Sequence, residues 1–152
     1  MTFCTGTLVL AYDLSLAATG VCFPDGSCDT LTPPAGMDDP TRLAWFGESF
    51  DVHLADWNPD RIVYETPFVG RFPGTAIALS KLHGVLLDRI GRSRCVWTAV
   101  APASLKFKAT GNGQATKADM VAAAFQRGAD VANDNEADAW LLYLGAHAGW
   151  WS

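Results

Sequence analysis

Three acidic residues stand where acids are costly. Asp13 interrupts the apolar run of residues 7–16, Thr-Leu-Val-Leu-Ala-Tyr-Asp-Leu-Ser-Leu. Glu65 ends the run Arg61-Ile62-Val63-Tyr64-Glu65, on the same side as Val63 if that run is a strand. Asp138 sits between Ala137 and Ala139, just ahead of Trp140-Leu141-Leu142. A buried carboxylate must pair, take up a proton or bind a metal. Asn135 and Asp134 precede Asp138 by one helical turn and share its face, whereas Glu136 lies roughly 200° away around the helix. Taken singly, each acid reads as an ordinary hydrogen-bond acceptor, and Asp134 as a helix N-cap. If the two strands are neighbours, three carboxylates converge, and repulsion raises their pKa values unless cations neutralise them. Hard oxygen ligands suit Mg²⁺ or Mn²⁺. Two such ions can activate water and stabilise a leaving oxygen in phosphodiester cleavage.

These residues need elements to hold them. Residues 7–16 are apolar on both faces, which predicts a central strand covered on both sides. A second strand is expected over 19–24, a hairpin turn at Asp25-Gly26 and a third strand around 28–32, ended by Pro33-Pro34. Asp39-Pro40 predicts a helix start with Asp39 as N-cap, followed by Leu43, Phe46, Phe50 and Leu54 at helical spacing and a stop before Asn58-Pro59. Arg61–Glu65 reads as a fourth strand. Residues 75–91 read as a helix with Ile77, Leu79, Leu82, Leu86 and Ile90 on its apolar side, and 95–100 as a fifth strand. Pro102 opens a short helical turn, and Gly111-Asn112-Gly113 is a loop. Thr116-Lys117-Ala118-Asp119 resembles a capping box that starts a helix through Gln126. A last helix begins near Asp134. Hairpins first and crossover helices later imply an α/β fold, a five-stranded mixed sheet with helices on both faces.

The chain has 152 residues, 49% hydrophobic, which is about one domain over 1–152 with a real core. No run reaches the ~18 apolar residues of a membrane span, and the first residues carry no basic-then-apolar leader. A net charge of −5 argues against coating nucleic acid by bulk electrostatics but leaves room for a local basic surface. Cys4, Cys22, Cys28 and Cys95 form no C-x-x-C pair, so they read as reduced thiols of a cytosolic protein. His53, His83 and His147 share no ligand spacing. Arg89, Arg92 and Arg94 cluster at a helix end, where they favour the dipole, and Arg71, Lys81 and Arg127 complete the scattered basic set. Trp140, Trp150 and Trp151 read as packing or dimer contacts.

Four segments in order resemble the RuvC-type Holliday junction resolvases of the RNase H-like nuclease superfamily. Ala11-Tyr12-Asp13-Leu14-Ser15-Leu16-Ala17-Ala18-Thr19-Gly20 is similar to the family's first strand, G-I-D-P-G-x-x-x-T-G. Ile62-Val63-Tyr64-Glu65-Thr66-Pro67-Phe68 is similar to its second acidic strand with a following aromatic. Pro102 to Lys106, Thr110 to Gly113 and Lys117 are similar to its P-x-x-V-K…V-G-x-G…K segment, and Asn135-Glu136-Ala137-Asp138-Ala139 to its D/H-x-A-D-A helix. The chain departs at Leu14 and Leu16, where members carry Pro and nearby Gly, and at Asn135, where they carry Asp or His. Its short, acidic make-up fits a compact, divergent, phage-type member.

The resemblance implies an RNase H-like fold and a metal-dependent endonuclease acting on four-way or branched DNA as a homodimer, in the cytoplasm of a bacterial or phage-infected cell, with no membrane and no organic cofactor. It makes Asp13, Glu65 and Asp138 catalytic metal ligands for two Mg²⁺ or Mn²⁺ ions and Asn135 a fourth ligand, with Asp134 the competing candidate. It places Phe68 at the DNA as a stacking or wedging aromatic, the alternative being a core Phe beside Pro67. It gives Lys106, Lys108 and Lys117 phosphate contacts, the alternative being solvated helix surface. Two other readings stay open: a nuclease on flaps or RNA–DNA hybrids, and a non-catalytic junction-binding module.

Overall fold

In β1 (Val9–Asp13) the first four side chains are buried, because helices cover both faces of the sheet. The computed structural model describes residues 6–68 and 72–151, so Cys4 and Arg71 lie outside the described residues. β2 (Thr19–Cys22) pairs antiparallel with β1, and β3 (Cys28–Leu31) antiparallel with β2. Their hairpin turns at Asp25-Gly26 as expected. Gly26 takes a left-handed φ of 85°, and the Asp25 carboxylate accepts from the Ser27 N–H at 2.9 Å and hydroxyl at 2.6 Å.

α1 (Asp39–Trp57) crosses to β4 (Arg61–Glu65), which runs parallel to β1. α2 (Pro73–Arg92) crosses to β5 (Val96–Val100), parallel to β4. α3 (Pro102–Thr110), α4 (Lys117–Gln126) and α5 (Asp134–Ala148) complete the chain. The sheet order is β3-β2-β1-β4-β5. Ala11, Cys22, Val63, Leu141 and Leu142 pack in the core on the α5 face. Leu10, Tyr12, Ile62, Phe46, Phe50 and Leu86 pack in the core under α1 and α2. The two-residue period of a strand therefore puts Asp13 with Ala11, and Glu65 with Val63, on the α5 face.

The structure corrects four local expectations. The N-cap of α1 is Asp38, whose side chain accepts from Thr41 N–H at 2.9 Å, so Asp39 lies in the first turn. Ile77 is 60% exposed, and α2 buries Ala76, Leu82, His83, Leu86 and Ile90 instead. α3 is a full nine-residue helix rather than a short turn, stopped at Gly111 with φ 81°. The N-cap of α5 is Asn133 and not Asp134: Asn133 Oδ1 accepts from the Glu136 N–H at 2.9 Å. The Thr116–Asp119 capping box forms as read, with both reciprocal hydrogen bonds. Among the described residues, no helix is long and apolar enough to cross a membrane.

Candidate active site

Asp13 and Glu65 end adjacent parallel strands. The register Ala11–Val63 and Tyr12–Tyr64 brings their positions side by side at the carboxyl edge of the sheet. α5 crosses above them, and one close approach sets its height. A Cβ on Gly20, which pairs with Asp13 across β1 and β2, would overlap the backbone carbonyl of Asn135. Only glycine lets the first turn of α5 sit this low over the strand ends. Asp138, one turn further on, then shares the electrostatic field of both strand acids.

The three carboxyls are half-buried, and each is shifted upward. Burial first, then the charges of Asp138, Glu65 and Asp134, hold Asp13 well above the usual carboxylate range, with Lys117 pulling the other way. Burial and then Asp138 push Glu65 up to about 7, opposed by Lys106. Burial and then Asp134 push Asp138 up to about 6, opposed by Lys106 and Lys117. Asp138 Oδ1 is buried and finds no hydrogen-bond partner among the described residues. Among those residues no three His, Cys, Asp or Glu side chains already stand as a closed metal-binding group. Carboxylates of like charge hold apart until something positive comes between them. The donor set is all oxygen, it is taken out of water, and one buried oxygen is unsatisfied. That fits a hard divalent cation.

A cleft of about 780 Å³ opens on Glu65 and Asp138. Glu65, Asp138, Phe68, Lys106, Lys117 and Gln114 are among its lining residues. Phe68 is 71% exposed, so the core-Phe alternative is excluded. Lys106 is half-buried beside the acids, and Lys117 reaches Asp134 at 3.5 Å. Lys108 is exposed on α3 and is not among the residues of the cleft. Asn135 is half-buried in the first turn of α5, its carbonyl over Gly20.

The remaining motifs have structural occupations. Arg89 pairs with Asp51 at 3.2 Å, joining α2 to α1, and Arg92 pairs with Asp88 at 3.0 Å. His53 meets the Tyr12 hydroxyl at 2.7 Å in the α1 core. Trp151 is buried and donates its indole N–H to the Leu142 carbonyl. Sequence reasoning missed His83. Its Nε2 lies 2.8 Å from the Glu65 carbonyl oxygen and its Nδ1 2.8 Å from the Leu79 carbonyl oxygen, tying the end of β4 to α2. Its position between Leu82 and Leu86 on the apolar side of the helix was the available signal. Gln114, beside the glycine loop, carried none.

No family model matches the chain. A curated crossover junction endodeoxyribonuclease RuvC of Dehalococcoides mccartyi is 30% identical over 112 residues, 74% of this chain and 67% of that protein. The chain belongs to the RuvC family. A RuvC of Thermomicrobium roseum is 27% identical over 119 residues, 74% of this chain and 73% of that protein. Against a Bdellovibrio bacteriovorus RuvC the chain spans about half the relative's length, 49%. Among solved structures, Thermus thermophilus RuvC in complex with a Holliday junction substrate superposes with TM-score 0.80 at 15% identity, covering 97% of this chain and 99% of that one. A yeast mitochondrial Holliday junction resolvase gives TM-score 0.60 at 16% identity, covering 90% and 76%. The mixed sheet with its order and crossovers is therefore the RNase H-like RuvC fold.

Proposed function

We propose that this RuvC-family chain is a divalent-metal-dependent endonuclease that cuts phosphodiester bonds in four-way or branched DNA. The observation that carries the reading is the meeting of Asp13, Glu65 and Asp138 in one partly dehydrated field, at a cleft with Lys106, Lys117 and Phe68 on its walls. Asp13, Glu65 and Asp138 would hold Mg²⁺ or Mn²⁺, with Asn135 or Asp134 completing the set from the first turn of α5. Bound there, such ions would supply Lewis acidity at the phosphate and lower the pKa of a nearby water.

The chain's own residues do the rest. β1 and β4 fix two carboxylates on rigid strand ends, and α5 sets the third over them. Lys106 and Lys117 oppose the acids' repulsion and offer phosphate contacts at the cleft, with Lys108 a further contact outside it. Phe68 presents a free ring face to a base at the branch point. As a two-fold homodimer inside the cell, the protein would place two such clefts on two strands of a quasi-symmetric junction.

The test is a panel of labelled substrates, namely four-way junction, flap, RNA–DNA hybrid and plain duplex, each incubated with Mg²⁺, Mn²⁺ or EDTA. Paired symmetric nicks in the junction, absent in EDTA, are the expected result. Equal cutting of flap or hybrid moves the reading to a broader nuclease. Tight junction binding without nicks in either metal makes the chain a binding module.

A further inference from the structure

Cys22 and Cys28 lie directly opposite each other across the β2–β3 hairpin. The next pair toward the turn, Phe23 and Ser27, carries a ladder hydrogen bond, Phe23 N–H to the Ser27 carbonyl at 2.8 Å. Ladder bonds alternate in antiparallel strands, so the cysteines occupy a non-hydrogen-bonded pair. Opposed Cα atoms in such a pair stand about 4.5 Å apart, within the roughly 4.4–6.8 Å that a disulfide spans. Both side chains face the α5 core, Cys22 fully buried and Cys28 half-buried against it. Each thiol lies near a carbonyl at the turn, Cys22 Sγ 3.8 Å from the Phe23 oxygen and Cys28 Sγ 3.9 Å from the Gly26 oxygen, and the neighbouring Cys28 together with burial pushes the Cys22 thiol up. Cys95 is remote from them: its thiol donates to the Pro59 carbonyl at 3.0 Å, beside the other core.

We propose that Cys22 and Cys28 are a redox-active pair that closes to a disulfide across the hairpin when the protein meets a small-molecule disulfide. Cys28, the more accessible, attacks one sulfur of the external disulfide. A mixed disulfide forms and one small thiolate leaves. Cys22 then attacks the Cys28 sulfur, its proton passing to the departing second thiolate as the intramolecular bond forms and the mixed disulfide breaks. Two protein thiols are oxidised and one external disulfide is reduced to two thiols. An excess of small thiol reverses both steps.

The bond would brace the part of the sheet on which α5 is seated. Thr30 on β3 donates to Glu136 Oε2 at 2.6 Å and accepts from Asn133 Nδ2 at 2.9 Å. The Tyr143 hydroxyl donates to the Pro24 carbonyl at 3.3 Å. Stapling the hairpin therefore stiffens the support of the helix that carries Asp138. The disulfide itself does not depend on the nuclease reading.

The full chain, reduced and then treated with oxidised glutathione at neutral pH, tests this. Titratable thiols in denaturant should fall from four to two, and the intact mass should drop by two hydrogens. Digestion before aspartates should release Asp13–Pro24 joined to Asp25–Cys28, separable by reductant. The oxidised form should melt about 5 °C higher. Cys28→Ser should abolish the mass loss, and Cys4→Ser should leave it intact. Glutathione adducts without loss of hydrogens, or a bond that joins Cys4 or Cys95 to either cysteine, would overturn the proposal.

Discussion

Glu136 and Asp138 stand two residues apart on α5, both acidic and both turned out of bulk water, yet their surroundings are opposite. Glu136 is saturated: it accepts from the Thr30 hydroxyl at 2.6 Å, the Ala132 N–H at 3.2 Å and Asn133 Nδ2 at 3.3 Å. Asp138 faces other acids, has a buried oxygen with no partner among the described residues, and is pushed up to about 6. A buried acid with donors on every side is a fastener. A buried acid set among other acids costs stability, and a protein retains it where something positive is to be bound. One helix thus carries a structural acid toward β3 and a poised acid toward β1 and β4.

Substitution should separate the two most sharply. Asp138→Asn removes charge at nearly constant shape, so cleavage should fall by at least about a hundredfold while junction binding is kept or improved. Its melting temperature should hold or rise, because a strained charge is gone. Glu136→Ala should do the reverse. It leaves the Thr30 hydroxyl proton and the Ala132 N–H without their acceptor and costs Asn133 Nδ2 one of its two, about 3 kcal/mol and roughly 5–10 °C, with the cleavage rate per folded molecule preserved. Nicking and melting assays on both variants check this. A destabilised Asp138→Asn that still cuts would erase the distinction.

The pH dependence comes next in size. Glu65 and Asp138 are raised to about 7 and about 6, whereas an unfolded chain releases those protons near pH 4. Between those limits the folded state holds more protons, so stability falls as pH rises through about 4 to 7. Metal-free protein in chelator should therefore lose several degrees of melting temperature across that window, and Asp138→Asn should flatten the fall. Added Mg²⁺ should oppose it increasingly at higher pH, since cations bind the deprotonated form. A flat profile in chelator would show that the acids do not share a field.

Much of this was legible because the informative residues break a pattern. An Asp inside Leu-Ala-Tyr-Asp-Leu and a Glu closing Ile-Val-Tyr-Glu are conspicuous against apolar strands, and β4 runs over Arg61–Glu65 as read. The errors fall where neighbours compete on equal terms. Asp38-Asp39 offers two caps in succession, and Asn133-Asp134-Asn135 offers three. In each case tertiary placement of the first turn chose the earliest. The N-x-x-E spacing of Asn133 and Glu136 was the overlooked clue to the second. Ile77 is apolar but lies about 180° around α2 from Leu86 at ~100° per residue, so it points away from the face that buries Ala76, Leu82 and Leu86. Gly20 was readable only as part of a motif, since its contact is with a helix more than a hundred residues away.

The smallest effect concerns the residues flanking the contrast, Asp134 and Asn135. With Asn133 as the cap, Asp134 is released from the structural duty that the sequence offered it. Its charge acts instead on Asp13 and Asp138, and its carboxylate meets Lys117 at 3.5 Å. Asn135 is held closer in, by its carbonyl over Gly20 beside Asp13. An amide adds a ligand oxygen but no charge, so cation affinity at this end of α5 should rest on Asp134 for field and on Asn135 for contact. Asn135→Asp should then lower the Mg²⁺ concentration for half-maximal cleavage by about tenfold, the effect of roughly 1.4 kcal/mol. Asp134→Asn should raise it by a smaller factor, about threefold, because the residue is partly exposed and screened by Lys117. In metal-free protein Asn135→Asp should lower the melting temperature, since it adds an acid to the cluster, whereas Asp134→Asn should move it by no more than a degree or two. A Mg²⁺ titration of nicking on these two variants and on Asn135→Ala decides the order. If Asp134→Asn raises the requirement more than Asn135→Ala does, Asp134 and not Asn135 faces the ion.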